Sequence, residues 1–215
     1  MGHRTLLMTS LSQQLIEDML LQQEVEFRSR FTSTPTILYE VITHTSESEL
    51  LAAGQRLLSS DDPARRILGI RLIREVKENQ AQATYALSQL LSCERNDDVI
   101  YWIVSAFGFL KSDSVIDRLR ALAHHPDASV RYHVATAVAN CATDEIPAES
   151  TNVLLGLCHD EDPEVRFSAV FEVGEWWKVK RDRRLGSELR RAASDTDPLV
   201  ARAAQAALDE EPDRS

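Results

Sequence analysis

The chain has 215 residues, 24 Lys plus Arg against 34 Asp plus Glu, and a net charge of −10. With 43% hydrophobic and 27% charged residues it has the balance of an ordinary folded chain, long enough for one domain or one continuous array. Seven glycines and seven prolines are too few for a hairpin-rich all-β chain, no apolar run approaches the ~20 residues that span a bilayer, and the acidic charge disfavours phosphate backbones.

Residues 1–46 lack a regular pattern. Met1-Gly2-His3-Arg4 is followed by a short apolar stretch and then by Gln13, Gln14, Glu17 and Asp18, so no secretory h-region is read and a cytoplasmic location is expected. Leu11, Leu15, Ile16, Met19 and Leu20 predict an amphipathic helix, and 35–42 a shorter one. Together they read as an N-terminal helical cap or degenerate repeat.

From residue 47 to 210 the chain repeats itself. With Arg65, Val99, Val130, Val165 and Val200 as anchors, the spacings are 34, 31, 35 and 35. Positions +4 and +8 are apolar or small in each unit: Gly69 and Ile73, Ile103 and Phe107, Val134 and Val138, Ala169 and Val173, Ala204 and Leu208. That spacing marks one buried face of a helix, and a leucine-rich helix precedes each anchor, giving two helices per ~35 residues. Asp62-Pro63, Asp162-Pro163 and Asp197-Pro198 set an N-cap carboxylate before a proline at the first helical position, where its missing N–H is harmless. Asp127 caps without the proline. Residues 211–215 read as a polar tail.

The phrase D-x-D-P-x-V-R followed by small residues resembles the HEAT-like repeat named after the phycobilisome (PBS) lyases. Asp160, Asp162, Pro163, Val165, Arg166, Ala169, Val173 and Gly174 carry it most fully; the fifth unit has Ala201 in place of the arginine. The resemblance implies an all-α fold, a right-handed α-α superhelix (a HEAT-like α-solenoid) of about five helix pairs behind the N-terminal cap. It also implies that the second helix of each pair lines the concave face.

Helical geometry then turns anchors into directions, with +2 and +6 opposite the buried arc. Position +2 reads Ile67, Tyr101, Tyr132, Phe167, Arg202, and +6 reads Arg71, Ser105, Thr136, Phe171, Ala206. An aromatic ladder at positions expected to be solvated either packs against neighbouring repeats or binds a protein segment. The partner-binding candidates are therefore Arg71, Tyr101, Ser105, Tyr132, Thr136, Phe167, Phe171 and Arg202. Trp102, His133, Trp176 and Trp177 are expected to pack.

The turns inside the units carry Asp62, Asp98, Asp127, Glu161, Asp162 and Asp197, an acidic edge partly used in capping and otherwise suited to steering a basic partner. Lys178, Lys180, Arg181, Arg183 and Arg184 form the one basic cluster, read as solvated surface or as a contact for a phosphate or acidic peptide. Cys93, Cys141 and Cys158 show no CxxC spacing and are expected to be buried small apolar residues. No HExxH, GxSxG, P-loop or GxGxxG occurs, so no catalytic residue, metal or cofactor is expected. The His-Glu pairs of the HEAT-like deoxyhypusine hydroxylases are absent as well. The function expected is non-catalytic protein–protein interaction, as an adaptor or an immunity-type inhibitor, without membrane, nucleic acid or small-molecule substrate. The alternative is an enzyme on the same scaffold, a phycobilin lyase or, behind it, a HEAT-like DNA glycosylase.

Overall fold

The structure is a computed structural model and describes residues 41–142, 148–180 and 182–210. Among the described residues five helix pairs follow one another: α1 (Glu47–Leu58) and α2 (Pro63–Ile73), α3 (Gln80–Leu91) and α4 (Asp97–Leu110), α5 (Ile116–Leu122) and α6 (Ala128–Cys141), α7 (Ala148–Leu157) and α8 (Pro163–Lys180), α9 (Arg183–Ala192) and α10 (Pro198–Asp209). No strand occurs among the described residues. None of their helices is long and apolar enough to cross a membrane. The expected N-terminal helices before residue 41, the tail after 210 and Arg181 lie outside the described residues.

The helix starts follow the sequence signals closely. Asp62, Asp127, Asp162 and Asp197 accept the backbone N–H of Ala64, Ser129, Glu164 and Leu199 at 2.7–2.9 Å, and Pro63, Pro163 and Pro198 open their helices. These carboxylates satisfy amides that have no intrahelical acceptor and face the positive end of the helix dipole. At α4 the cap is Asn96, whose Oδ1 accepts from Val99 N at 3.1 Å. Helix α1 carries a capping box, Ser46 with Glu49. The anchor residues and their +4 and +8 partners are buried as the period requires, from Val99 to Phe107, Val130 to Val138 and Val165 to Val173. Leu208 is only half-buried and Arg65 is exposed.

The chain divides into two compact units, residues 1–106 and 107–215, with the boundary inside α4. In the first, Val41, Leu50, Ala53, Leu68 and Leu72 form a core between the N-terminal side and the α1–α2 pair. Helices α1 and α2 cross at Gly54 and Gly69, where a Cβ on either would lie within 3 Å of the other's carbonyl oxygen. In the second unit α6, α8 and α10 pack side by side in order, and α5, α7 and α9 back them. The α8–α10 approach is close because Gly174 has no Cβ; one added there would meet Ala207 Cβ at 2.9 Å.

Within each unit, consecutive repeats are joined by an arginine clip. Arg131 donates through Nε and Nη2 to both oxygens of Asp160 at 2.8 Å, and through Nη1 to the carbonyls of His125 and Pro126 in its own turn. Arg166 does the same to Asp195 and to the carbonyls of Asp160 and Glu161. In the first unit Arg66 grips Glu94 and the carbonyls of Ser60 and Asp61. Each planar guanidinium thus ties the turn of one repeat to that of the next with a fork that lysine could not supply. The acid is further fixed by accepting a backbone N–H two residues on, as Asp160 does from Asp162 and Asp195 from Asp197.

Candidate functional site

The ladder positions differ between the units. In the first, Tyr101 keeps 6% of its surface and Arg71 1%, so neither presents an open face. Tyr101 packs edge-on against Trp102, with ring centroids 5.5 Å apart, and the Arg71 guanidinium lies 5.0 Å from the Trp102 ring. Burial, together with the Arg74 charge, lowers Arg71 to about 10. These two expected binding residues are packing residues, as Trp102 is, because a long arginine at +6 and two rings in sequence fill the space that smaller side chains would leave open. Ser105 is half-buried.

In the second unit the same positions open progressively. Tyr132 and Thr136 on α6 are half-buried, and Ser168 Oγ on α8 donates to Tyr132 O at 3.1 Å and lies 3.4 Å from Thr136 Oγ1. Beside them sits Glu172, whose carboxyl is pushed up to about 7 by burial, with the Thr136 hydroxyl opposing and the Glu175 charge adding to the rise. Further along, Phe167 is half-buried and Phe171 is 51% exposed, their rings 6.5 Å apart and tilted by 30°.

Phe167 and Phe171 form one wall of a groove of about 490 Å³ between α8 and α10. The opposite wall is Leu199, 54% exposed, with Ala203, Ala206 and the exposed Arg202. Arg202 Nε donates to Pro198 O at 3.2 Å. The other end is closed by Lys178, whose Nζ lies 2.8 Å from both Glu175 and Glu210. The floor is shallow because Gly174 and Ala207 bring the helix backbones together. The groove therefore offers an apolar slot with exposed aromatic and aliphatic edges, an ion cluster of one lysine and two glutamates at one end and a cation at the other.

Of the expected binding residues, Phe167, Phe171 and Arg202 come together in this groove, Tyr132 and Thr136 lie on the neighbouring α6, and Arg71 and Tyr101 belong to the core of the first unit. Leu199 was absent from the expectation. Its signal was present, since the position before the anchor reads Ala64, Asp98, Ser129, Glu164 and Leu199, and only the last is large and apolar.

The acidic edge is largely committed to folding. Asp62, Asp127, Asp162 and Asp197 are caps, and Asp160, Asp195 and Glu94 are clip partners held well below the usual carboxylate range despite burial. Asp98 stands exposed in the first turn of α4, and Glu161 is exposed beside Arg131. Trp176 and Trp177 are buried, the latter against Gly186. Cys141 and Cys158 are buried and their thiols are pushed up by burial. Cys93 is exposed, contrary to expectation, because it falls past the end of α3, where its Sγ contacts Leu90 O at 3.3 Å. Among the described residues no three His, Cys, Asp or Glu side chains gather into a metal-binding group.

Known structures share this architecture. A designed armadillo repeat protein in complex with the peptide (KR)4 is similar over 82% of this chain and 95% of its own, at 17% identity and a TM-score of 0.55. A computationally designed armadillo repeat protein for modular peptide recognition covers 79% of this chain and 85% of its own, at 19% identity and TM-score 0.55. An engineered protein covers 83% and 93%, at 20% and 0.56. At such identities the likeness is one of fold. No curated protein is significantly similar to the chain. The HEAT repeats profile matches residues 50–139 and 84–174, and the chain belongs to the HEAT repeat family.

Proposed function

We propose that this HEAT-repeat chain is a non-catalytic protein-binding module that holds a partner segment in the α8–α10 groove. Repeat scaffolds of this kind are typical protein-binding modules. The observation that carries the reading is the exposure of Phe171 and Leu199 across a slot also walled by Phe167. Large apolar side chains left open on facing walls lose free energy to water, and a bound side chain recovers it at about 25 cal/mol per Å². Arg202 at one end sets the direction of the bound segment, and Tyr132 and Thr136 extend the contact onto α6. Glu161 at the acidic edge of the second unit gives a basic partner a faster approach. A single tight partner makes the protein an inhibitor of the immunity type, and two weaker ones make it an adaptor.

The test is affinity capture from the source lysate with the wild-type chain beside a Phe171→Glu, Leu199→Glu variant, both shown to be folded by circular dichroism. A stoichiometric protein retained by the first and lost by the second is the expected result. The same protein retained by both would remove the groove from the proposal. A pigment or a nucleic acid in the eluate without a stoichiometric protein would favour the lyase or glycosylase reading.

A further inference from the structure

A second charged surface lies on the same unit, away from the groove. Residues 178–191 hold seven of the chain's 24 basic residues, Lys178, Lys180, Arg181, Arg183, Arg184, Arg190 and Arg191, against Asp182 and Glu188. Helix α9 separates its side chains sharply. Leu185, Gly186, Leu189 and Ala192 are buried, while Arg183, Arg184, Arg190 and Arg191 are exposed. Arg184 pairs with its cap Asp182 at 3.3 Å, and Arg191 pairs with Glu188 at 2.6 Å while donating to Cys158 O. Arg183 and Arg190 have no carboxylate partner among the described residues. Arg183, Arg184 and Arg191 line an open cleft of about 510 Å³ with Leu155 of α7, Ser187 and Glu188, and Arg190 stands on the same helix outside it.

The spacing selects the ligand. Residues seven apart on a helix differ by about 20° in direction and by about 10 Å in height, so Arg183 lies above Arg190 and Arg184 above Arg191. Two guanidinium pairs about 10 Å apart match carboxylates three residues apart on a polyproline II segment, which has three residues per turn and rises about 3.1 Å per residue. Arg183 and Arg190 present their guanidinium forks to carboxylates, Arg184 and Arg191 add positive charge beside them, and the Leu155 side chain gives the backbone of such a segment an apolar rest. The basic stretch is too short to follow a nucleic acid, which would run on over a chain of net charge −10.

We propose that the arginine face of α9 and its cleft with α7 bind an acidic segment of a protein, through carboxylates paired with Arg183 and Arg190 in the field of Arg184 and Arg191. The site is separate from the α8–α10 groove and does not depend on the groove's occupant. Fluorescein-labelled hexaglutamate is the probe, titrated with the full chain and followed by fluorescence anisotropy at low and high salt. Binding is expected at low salt, weakened by salt, and reduced about tenfold or more in Arg183→Glu, Arg190→Glu. Both positions are exposed, so the thermal melt of the variant should match the wild type, and Arg183→Gln, Arg190→Gln gives a milder second comparison. Absence of hexaglutamate binding, equal binding by the charge-reversed variant, or tighter binding of an equally charged DNA oligonucleotide would each overturn the proposal.

Discussion

Replacing Arg131 by alanine cuts one clip at its centre. The guanidinium makes four hydrogen bonds of 2.8–3.0 Å, two to the Asp160 carboxylate and two to turn carbonyls. Its side chain is 8% exposed and that of Asp160 9%, so the loss leaves a nearly buried carboxylate with the Asp162 N–H and the more distant Arg166 charge. Breaking a buried pair on one side costs about 3–5 kcal/mol, and the two carbonyls at the surface of the turn regain water, so the lower half of that range is expected. Urea unfolding followed by far-ultraviolet circular dichroism reads the change, with each transition fitted separately because the two compact units need not unfold together. Asp160→Asn keeps an oxygen for the Asp162 N–H while removing the charge. In the Arg131→Ala background it should therefore recover about 1 kcal/mol or more, through a strongly non-additive cycle. The Asp160 pKa is depressed in the fold, so the stability the clip provides is present above the unfolded value of 3.8 and lost as pH falls below it. The gap between wild type and Arg131→Ala should close in acid. A cost below about 1 kcal/mol at neutral pH, or an additive cycle, would show that the clip decorates the interface rather than holding it.

The remaining expectations follow from packing and from one raised carboxyl. Gly174→Ala should destabilise by about 1–3 kcal/mol in a thermal melt, since its Cβ would press on Ala207 at 2.9 Å. Gly156→Ala, with nothing within 4 Å, should stabilise by roughly 0.5 kcal/mol. Phe171→Ala should cost under about 1 kcal/mol of stability, against roughly 3 kcal/mol for the buried Tyr101→Ala; a large Phe171 loss would place that ring in the core. Glu172 binds its proton more tightly folded than unfolded, so its neutral form is tolerated below pH 4.5 and stability declines as pH rises through about 7. Glu172→Gln should gain about 1–2 kcal/mol at pH 8, after discounting for solvent screening, and little at pH 5; equal gains at both would refute the titration. Lys111 ends α4 with a φ of 51°, and Lys111→Gly should raise stability by about 0.5 kcal/mol.

The repeat frame was legible because it rests on local chemistry. An aspartate before a proline sets a helix start whatever packs around it, and valines four apart define a buried stripe from the chain alone. The use of that frame was less legible. Position +2 gives a direction and not the depth of what lies above it, which is why Tyr101 and Tyr132 read alike while one is buried and the other half-open. Arg71 shows the same limit, since only the fold brings Trp102 beneath its guanidinium. The clip could have been read, as the pairs Arg66 and Glu94, Arg131 and Asp160, and Arg166 and Asp195 recur 28 or 29 residues apart. In the sequence the carboxylates stand among other surface charges, and only the fold carries the arginines across to them.

The clip also bears on how such an array gains and loses length. Arg131 and Arg166 are 35 residues apart, and so are Asp160 and Asp195. Excision of residues 131–165 would join Val130 to Arg166 at the same point of the repeat, putting Arg166 beside the carbonyls of His125 and Pro126 with Asp195 still its acid. Duplication of the same block would insert one arginine and one acid together. Neither event strands a buried charge, so the chain can grow or shrink by whole repeats while every junction inside the block remains matched.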